Sequence, residues 1–177
     1  VLTNFHEYNT GADFGAEKAL NWFFNNVDEG IVLEDDCIAH PDFFRFAEDM
    51  LLQYRTDDKI MMISGNNFQN NISRSTGSYY FSKYPSTWGW ASWKRAWKHY
   101  DSATVGYAEF MNKNILDTIC ESKIEKKFWG EFFKKIHSRK LEHWDVKWLF
   151  AIWNNNGISI TPNVNLVKNV GFGHDAT

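Results

Sequence analysis

Three consecutive acidic residues are the first candidates for chemistry in this sequence. Glu34, Asp35 and Asp36 directly follow the apolar run of residues 31–33. If that run is a central parallel strand, the carboxylates lie at its carboxyl end, where open α/β sheets bind ligands. Hard divalent ions prefer oxygen ligands, and they typically use one or two carboxylates together with phosphates and water. A metal site and a solvated acidic loop are the two interpretations of this triplet.

A further acidic residue, Asp145, lies in the segment EHWDVKW between Trp144 and Trp148. A carboxylate flanked by apolar side chains is a better proton acceptor than one in water, which is what a general base requires. The alternative is a surface helix whose tryptophans pack inward while Asp145 faces water. The residues alone leave both interpretations open.

Two other segments carry side chains suited to holding a sugar. In STWGWASWKRAW, Gly89 lies between Trp88 and Trp90, so a tight turn there can present an indole to a sugar ring. In MISGNN, Asn66 follows an apolar run and can hydrogen-bond to sugar hydroxyls. Hydrophobic packing beneath a loop and capping of a turn are the respective alternatives.

The composition is that of a soluble globular protein with many aromatic residues. Hydrophobic residues make up 44% of the 177 residues and charged residues 23%, while aromatic residues reach 18%. Aromatic side chains build cores, and polar aromatic clusters also bind sugars, so composition does not separate the two. The net charge of −3 gives no electrostatic reason to expect nucleic acid or an anionic membrane as partner.

The remaining composition signals concern location. No apolar run approaches the roughly 18 residues that a transmembrane helix needs. Cys37 and Cys120 are far apart and form no metal-spaced pair, which favours two reduced thiols in a cytoplasmic protein.

The elements that must position these residues can be predicted from periodicity. Apolar residues at helical spacing predict a helix over 12–26, and Pro41 suits the first turn of another. Short apolar runs predict strands, buried on both faces, at 31–33 and 59–63. Helix, strand, helix and strand in alternation predict an α/β fold with a mostly parallel sheet flanked by helices.

The second half of the chain is predicted to be mainly helical. A strand is expected over 79–84, and a closing segment over 157–161. Because no linker, repeat or low-complexity segment is present, the sequence predicts one domain over residues 1–177. The expected helices cover 91–100, 106–120, 123–138 and 144–155.

Four of these segments, in this order, resemble glycosyltransferases of the GT-A fold. The closest likeness is to the N-acetylglucosaminyltransferase I type, in which Glu-Asp-Asp replaces the commoner Asp-x-Asp metal motif. The resemblance covers nearly the whole chain. The segments that carry it are IVLEDDCIAHPDFF, MISGNN, STWGWASW and HWDVKW.

The resemblance implies a role for each acidic residue. Asp36 would ligate the Mn²⁺ or Mg²⁺ ion that bridges the diphosphate of a nucleotide-sugar donor. Glu34 and Asp35 would lie against the ribose, the donor sugar or metal-bound water. Asp145 would be the catalytic base that deprotonates the acceptor hydroxyl in an inverting transfer.

The resemblance also implies further contacts. Asn66, Gly89, Trp90 and Trp144 would line the donor sugar and the acceptor, and His174 in the terminal segment NVGFGHDAT would be a second metal ligand. GT-A domains place a nucleotide-binding βαβ unit before the acidic motif. Since the chain begins just upstream of that motif, either this first unit lies outside this sequence or the protein departs from the family here.

The leading hypothesis is therefore a metal-dependent glycosyltransferase that uses a nucleotide-sugar, most plausibly a UDP-sugar, and a glycan acceptor in polysaccharide biosynthesis. Two other classes stay open: a non-catalytic carbohydrate-binding module, and a metal-dependent phosphoryl or nucleotidyl transfer enzyme. Any attachment to a membrane is expected to come from other parts of a longer protein.

Overall fold

The computed structural model describes residues 1–5, 7–70, 72 and 76–172 of the chain. The sequence predicts one domain, and the structure divides into two compact units. One consists of Val1–Val27 with His99–Asn155, and the other of Asp28–Lys98 with Asn156–Thr177. The first unit is helical and the second contains every described strand, so we call them the helical unit and the sheet unit.

Seven helices and seven strands occur in the described residues. The helices are α1 (Ala12–Asn26), α2 (Pro41–Gln53), α3 (Lys94–Trp97), α4 (Tyr107–Asn112), α5 (Ile115–Ile119), α6 (Lys123–His137) and α7 (Trp144–Asn154). The strands are β1 (Glu29–Val32), β2 (Cys37–Ala39), β3 (Ile60–Ser64), β4 (Tyr79–Ser82), β5 (Trp90–Trp93), β6 (Ile158–Pro162) and β7 (Val167–Asn169).

The main sheet has the strand order β1-β5-β3-β6-β4. Strand β5 is antiparallel to both β1 and β3, β3 is parallel to β6, and β4 is antiparallel to β6. The α/β class is thus confirmed, but the expectation of a mostly parallel sheet is wrong. β1 and β3 do point the same way, as their alternation with helices suggested. A strand from later in the chain is inserted between them in the opposite direction.

The inserted strand β5 is also where the helix expected over 91–100 fails. All four of its residues are buried, so its apolar pattern matches a strand covered on both faces. The four-residue spacing of Trp93 and Trp97 does not indicate one helix here, since Trp93 ends strand β5 and Trp97 ends the short helix α3. A run of this length is ambiguous in sequence, since periodicity does not distinguish a buried strand from a buried helix.

Helix α2 packs against the sheet and begins at Pro41, as predicted. Pro41 occupies the first helical turn, where its missing N–H costs nothing, and His40 Nδ1 accepts a hydrogen bond from the Asp42 amide at 3.2 Å. Phe43, Ala47, Met50 and Leu51 pack with residues of β3, β5 and β6 in one hydrophobic core. β1, at the end of the strand order, is only half-buried, contrary to the prediction that both its faces are covered.

A second sheet pairs β2 with β7, antiparallel, with Cys37 opposite Asn169. Both strands are three residues long, too short to give a periodic signal, and the sequence predicted neither. The pairing fixes the segment that follows the acidic triplet to a segment near the end of the chain. It is therefore the element that shapes the surroundings of Asp36.

The helical unit consists of α1 and α4–α7. Helices α1, α6 and α7 lie close to their predicted positions, whereas the helix expected over 106–120 is divided into α4 and α5. The division falls at Asn114, whose φ of 52° is left-handed and ends a right-handed helix. Within the described residues, no helix combines the length and the apolar character needed to cross a lipid bilayer.

Candidate functional site

The acidic triplet lies in a turn at the carboxyl end of β1. The turn is closed by a hydrogen bond of 3.0 Å from the Cys37 amide to the Glu34 carbonyl. Glu34 and Asp35 are exposed, whereas Asp36 is half-buried. The three carboxylates thus differ in their surroundings, and only Asp36 is partly shielded by the protein.

Asp36 is held by the terminal segment of the chain. Asn169 Nδ2 donates to Asp36 Oδ2 at 3.0 Å, and the Val170 amide donates to the Asp36 carbonyl at 2.9 Å. Gly171 passes so close that a β-carbon there would clash with Asp36 Oδ2. Side chain and backbone of Asp36 are therefore both fixed by residues more than a hundred positions away.

The thiol of Cys37 is the other neighbour of this carboxylate. Cys37 Sγ lies 3.4 Å from Asp36 Oδ1, in position to donate a hydrogen bond. Burial, together with the hydrogen bond to Asp36, raises the pKa of the Cys37 thiol to about 11. The thiol therefore stays protonated at neutral pH and acts as a donor to Asp36 rather than as a thiolate.

The donor set at this turn suits a hard divalent cation, because it consists of carboxylate oxygens and one carboxylate is already oriented. Within the described ranges, no group of three or more His, Cys, Asp or Glu side chains is arranged to hold a metal ion. A cation that takes one or two carboxylates, with phosphate and water as further ligands, does not need such a group. His174 lies outside the described residues.

Asn66 follows β3, two residues after its last position. Its side chain is 2% exposed, and neither its Oδ1 nor its Nδ2 has a hydrogen-bond partner in the described part of the chain. An unsatisfied buried amide is costly, so it is an exception that calls for a partner. The structure thus places Asn66 at a strand end, as predicted, with its hydrogen-bonding capacity unused.

The turn predicted at Gly89 is present. Gly89 has a φ of 63°, and its carbonyl accepts a hydrogen bond of 2.7 Å from the Gly65 amide. A β-carbon at Gly89 would lie 2.7 Å from Val167 Cγ2, so both conformation and space favour glycine. The turn brings the ends of β3 and β5 together.

The tryptophans on either side of Gly89 have different surroundings. Trp90 is fully buried in β5 and packs against Trp97, with ring centroids 6.2 Å apart, which is the placement of a core residue. Trp88 is half-buried and contacts the rings of Phe68 and Phe172 at 5.0 and 5.3 Å. The aromatic group that reaches the surface of the sheet unit at this turn is therefore the one around Trp88.

A cavity of about 740 Å³ opens at the other end of β1, away from the acidic triplet. Its two arginines already have partners: Arg55 forms an ion pair with Glu29, and Arg95 donates to the carbonyls of Tyr54, Arg55 and Ile60. These contacts fix the end of α2 to the sheet. The cavity is therefore explained by structural contacts and shares no residue with the predicted site.

Asp145 belongs to the helical unit, in the first turn of α7. A carboxylate is favourable there, since the unpaired amides of a helix N-terminus carry partial positive charge. Trp148 is fully buried in the core, whereas Trp144 and Asp145 are half-buried. Of the two tryptophans predicted to flank the carboxylate, only Trp144 reaches the surface.

Lys147 and Asp13 are a pair that the sequence analysis missed. Lys147 Nζ donates to Asp13 Oδ2, and the two side chains are only 8% and 15% exposed. Asp13 Oδ1 is buried with no hydrogen-bond partner among the described residues. A lysine inside the otherwise apolar run of α7 is the signal that could have revealed it, because a buried ammonium group requires a counter-ion.

Carboxylates from α1 and α7 act on the phenol of Tyr100 through their charge. Burial raises the pKa of Tyr100 above its ordinary value, and the nearby charges of Glu17, Asp13 and Asp145 raise it further. Asp145 is therefore one member of an acidic group that also includes two residues of α1. Sequence spacing did not indicate this grouping, because Asp13 and Asp145 are far apart in the chain.

Comparison with known proteins finds no family model that matches the chain and no curated relative. The resemblance to GT-A glycosyltransferases, which depends on the four sequence segments, therefore stays a prediction.

Proposed function

We propose that this chain is part of a metal-dependent glycosyltransferase that moves a sugar from a nucleoside-diphosphate donor to a hydroxyl group of a glycan. The observation that supports the proposal most is the fixed orientation of Asp36. Its carboxylate is held by Asn169 and Cys37 at the carboxyl end of a strand, and two exposed carboxylates lie beside it.

In this proposal Asp36 is the residue that holds the cation, and Glu34 and Asp35 bind the ribose, the sugar or water around it. A divalent cation neutralises negative charge on the departing diphosphate. Asp36 is suited to this position because its partners fix the carboxylate before any ligand arrives, which lowers the cost of binding. Asn66, with an unused amide, is the candidate for a hydrogen bond to a sugar hydroxyl.

Asp145 is the proposed general base. As the acceptor oxygen attacks the anomeric carbon, its proton passes to the Asp145 carboxylate and the bond from the sugar to the diphosphate breaks. Attack from the side opposite the leaving group inverts the anomeric centre. The half-buried position of Asp145 in the first turn of α7 supports this role, because it keeps the carboxylate partly shielded yet accessible.

Calorimetry with uridine diphosphate, with and without Mn²⁺, tests the donor side of the proposal. We expect the chain to bind the nucleotide weakly, because it is expected to lack the nucleotide-binding βαβ unit, and to bind only when Mn²⁺ is present. Asp36→Asn should lose this binding without loss of thermal stability. Asp49→Asn is the matched control, since it removes the same charge from an exposed position on α2.

Three outcomes contradict the proposal: no nucleotide binding with Mn²⁺, binding that does not depend on the metal, or binding that survives Asp36→Asn. A carbohydrate-binding module would bind glycans without needing either nucleotide or metal. A phosphoryl or nucleotidyl transfer enzyme would release phosphate or pyrophosphate from the nucleotide, rather than transfer the sugar of a UDP-sugar.

A further inference from the structure

Helix α6 carries a row of three apolar side chains, of which Ile124 and Phe128 are exposed and Phe132 is half-buried. Ile124, Phe128 and Phe132 are spaced four residues apart, so they lie along one side of the helix. Ile124 is 83% exposed and Phe128 is 55% exposed, while the ring of Phe128 stacks on that of Phe132 at 5.6 Å. Single exposed apolar residues are ordinary, but a continuous row marks an interaction surface.

Exposed lysines lie beside this row. Four lysines lie on the exposed side of α6, and none of them forms an ion pair within the described chain. Lys126, nearer the buried side, is paired with Asp117. Arg139 and Lys140, just after the helix, are also exposed, and Glu131 is the acidic residue among them. The four lysines are Lys123, Lys127, Lys134 and Lys135. The apolar row is thus accompanied by net positive charge, which Glu131 offsets only in part.

A cavity of about 600 Å³ adjoins the lysines, between α6 and the pair α4–α5. Met111, Leu116 and Tyr107 contribute apolar surface to it, while Lys123 and Lys127 are among its lysines. This combination provides an apolar volume with ammonium groups at its border.

We propose that this side of α6 docks on the surface of an anionic lipid bilayer. We call it the α6 face: the apolar row together with Lys123, Lys127, Lys134 and Lys135. Ile124 and Phe128 would enter the boundary between headgroups and acyl chains, and the lysines would contact lipid phosphates. Amphipathic helices that lie on membranes combine an exposed apolar side with lysine in this way.

The apolar row distinguishes this partner from nucleic acid. A surface that binds RNA through phosphates needs the lysines but not an exposed isoleucine, and stacking on bases does not use aliphatic side chains. The attraction must also be local, because the chain as a whole carries a net charge of −3. A zwitterionic bilayer supplies the apolar phase without the negative charge. The α6 face therefore predicts stronger binding to an anionic bilayer than to a zwitterionic one.

Vesicle co-sedimentation tests the proposal with the whole chain. The two membranes are phosphatidylcholine alone and equal parts of phosphatidylcholine and phosphatidylglycerol. We expect binding to the anionic vesicles that weakens with added salt, and little binding to the neutral ones. Each lysine near an anionic surface contributes about fivefold in affinity, so Lys127→Glu with Lys135→Glu should weaken binding at least about 25-fold.

Two matched controls separate the α6 face from general charge and hydrophobicity. Lys59→Glu with Lys168→Glu makes the same change in net charge in the sheet unit, and should leave vesicle binding unchanged. Phe128→Ser should weaken binding, while Val164→Ser, at a position 57% exposed, should not. Circular dichroism of each variant verifies that the fold is retained.

Several results would overturn the proposal. These are no binding to anionic vesicles, equal binding to both vesicle types, or equal effects of the α6 and control variants. The protein could instead bind a single-stranded RNA and not the vesicles. If the lysine variants abolished that binding and Phe128→Ser did not, the surface would be assigned to nucleic acid.

Discussion

The ammonium group of Lys147 on α7 donates a hydrogen bond to the carboxylate of Asp13 on α1, and both side chains are largely shielded from solvent. Removing one member of a buried ion pair leaves an uncompensated charge. We therefore expect Lys147→Met to lower the free energy of unfolding by about 3–5 kcal/mol. Urea denaturation measures the change.

Two further variants test whether the loss comes from the unpaired charge. Asp13→Leu combined with Lys147→Met removes both charges and should regain most of the stability. Lys126→Met breaks a surface pair with Asp117, whose side chains are 42% and 51% exposed, and should cost less than about 1 kcal/mol. Equal losses for Lys147→Met and Lys126→Met would show that the buried pair has no special weight.

Gly65 is tightly enclosed in the sheet unit, so its replacement should destabilise the protein. A β-carbon there would lie 2.6 Å from the Phe43 ring and 2.7 Å from both the Gly89 carbonyl and Val167 Cγ2. We expect Gly65→Ala to cost about 1–3 kcal/mol, since the core has to shift to admit it. Thermal or urea unfolding measures this cost.

Gly130 supplies the opposite case on α6. A β-carbon at this position meets only Leu116 Cδ1, at an ordinary 3.6 Å. Alanine is the better helix former, so Gly130→Ala should stabilise the protein by about 0.5–1 kcal/mol. If Gly65→Ala does not destabilise the protein, the packing described around Gly65 is incorrect; if Gly130→Ala destabilises it, the space described at Gly130 is incorrect.

Tyr100 predicts a loss of stability at alkaline pH. Its pKa is raised in the folded protein, by burial first and by nearby carboxylates second. Above pH 10 the unfolded tyrosine loses its proton while the folded one retains it, so the unfolded state is favoured as pH rises. Tyr100 causes no loss of unfolding free energy below pH 10, and above it the loss is at most about 1.4 kcal/mol per pH unit.

Unfolding free energies of the parent and Tyr100→Phe, measured from neutral pH to above pH 10, isolate this effect. The parent should lose stability more steeply than the variant in the alkaline range. Tyr8→Phe, at an exposed position, should follow the parent. Parallel curves for the parent and Tyr100→Phe would contradict the assignment.

Asp145→Asn tests the acceptor side of the proposed function. Asparagine keeps the shape of the side chain but cannot accept the proton, so transfer from a UDP-sugar should fall by about 10²–10⁴-fold. Binding of uridine diphosphate with Mn²⁺ should be unchanged, because the lost interaction belongs to the transition state. Glu142→Gln, an exposed neighbour just before α7, should retain parental rates. Transfer by Asp145→Asn within a few-fold of the parent would remove Asp145 from the mechanism.

The helices could be predicted where a periodic apolar face defines them. Helix α2 has both a proline at its start and an apolar face that matches its buried residues, so sequence and structure agree. Strand β5 was not predicted, because its short buried run lacks the β-branched residues of β3 and continues directly into α3, so it could be taken for part of a helix. Its position between β1 and β3 depends on long-range contacts, which the local sequence pattern does not specify.

The candidate site shows the same division. A strand ending in Glu34, Asp35 and Asp36 could be predicted, because apolar run and acidic triplet are contiguous. The contact between Asn169 and Asp36 could not, since it depends on the short pairing of β2 with β7. Lys147 was overlooked because its partner Asp13 is 134 positions away.

The pairing of β2 with β7 couples the proposed chemistry to the local opening of the chain. If β7 separates from β2, Asp36 loses its bonds to both Asn169 and the Val170 amide. By thermodynamic linkage, a ligand that prefers the held carboxylate must favour the closed strand pair by the same free energy. Slower hydrogen exchange of the Val170 amide would therefore report occupancy of Asp36 without any measurement of catalysis.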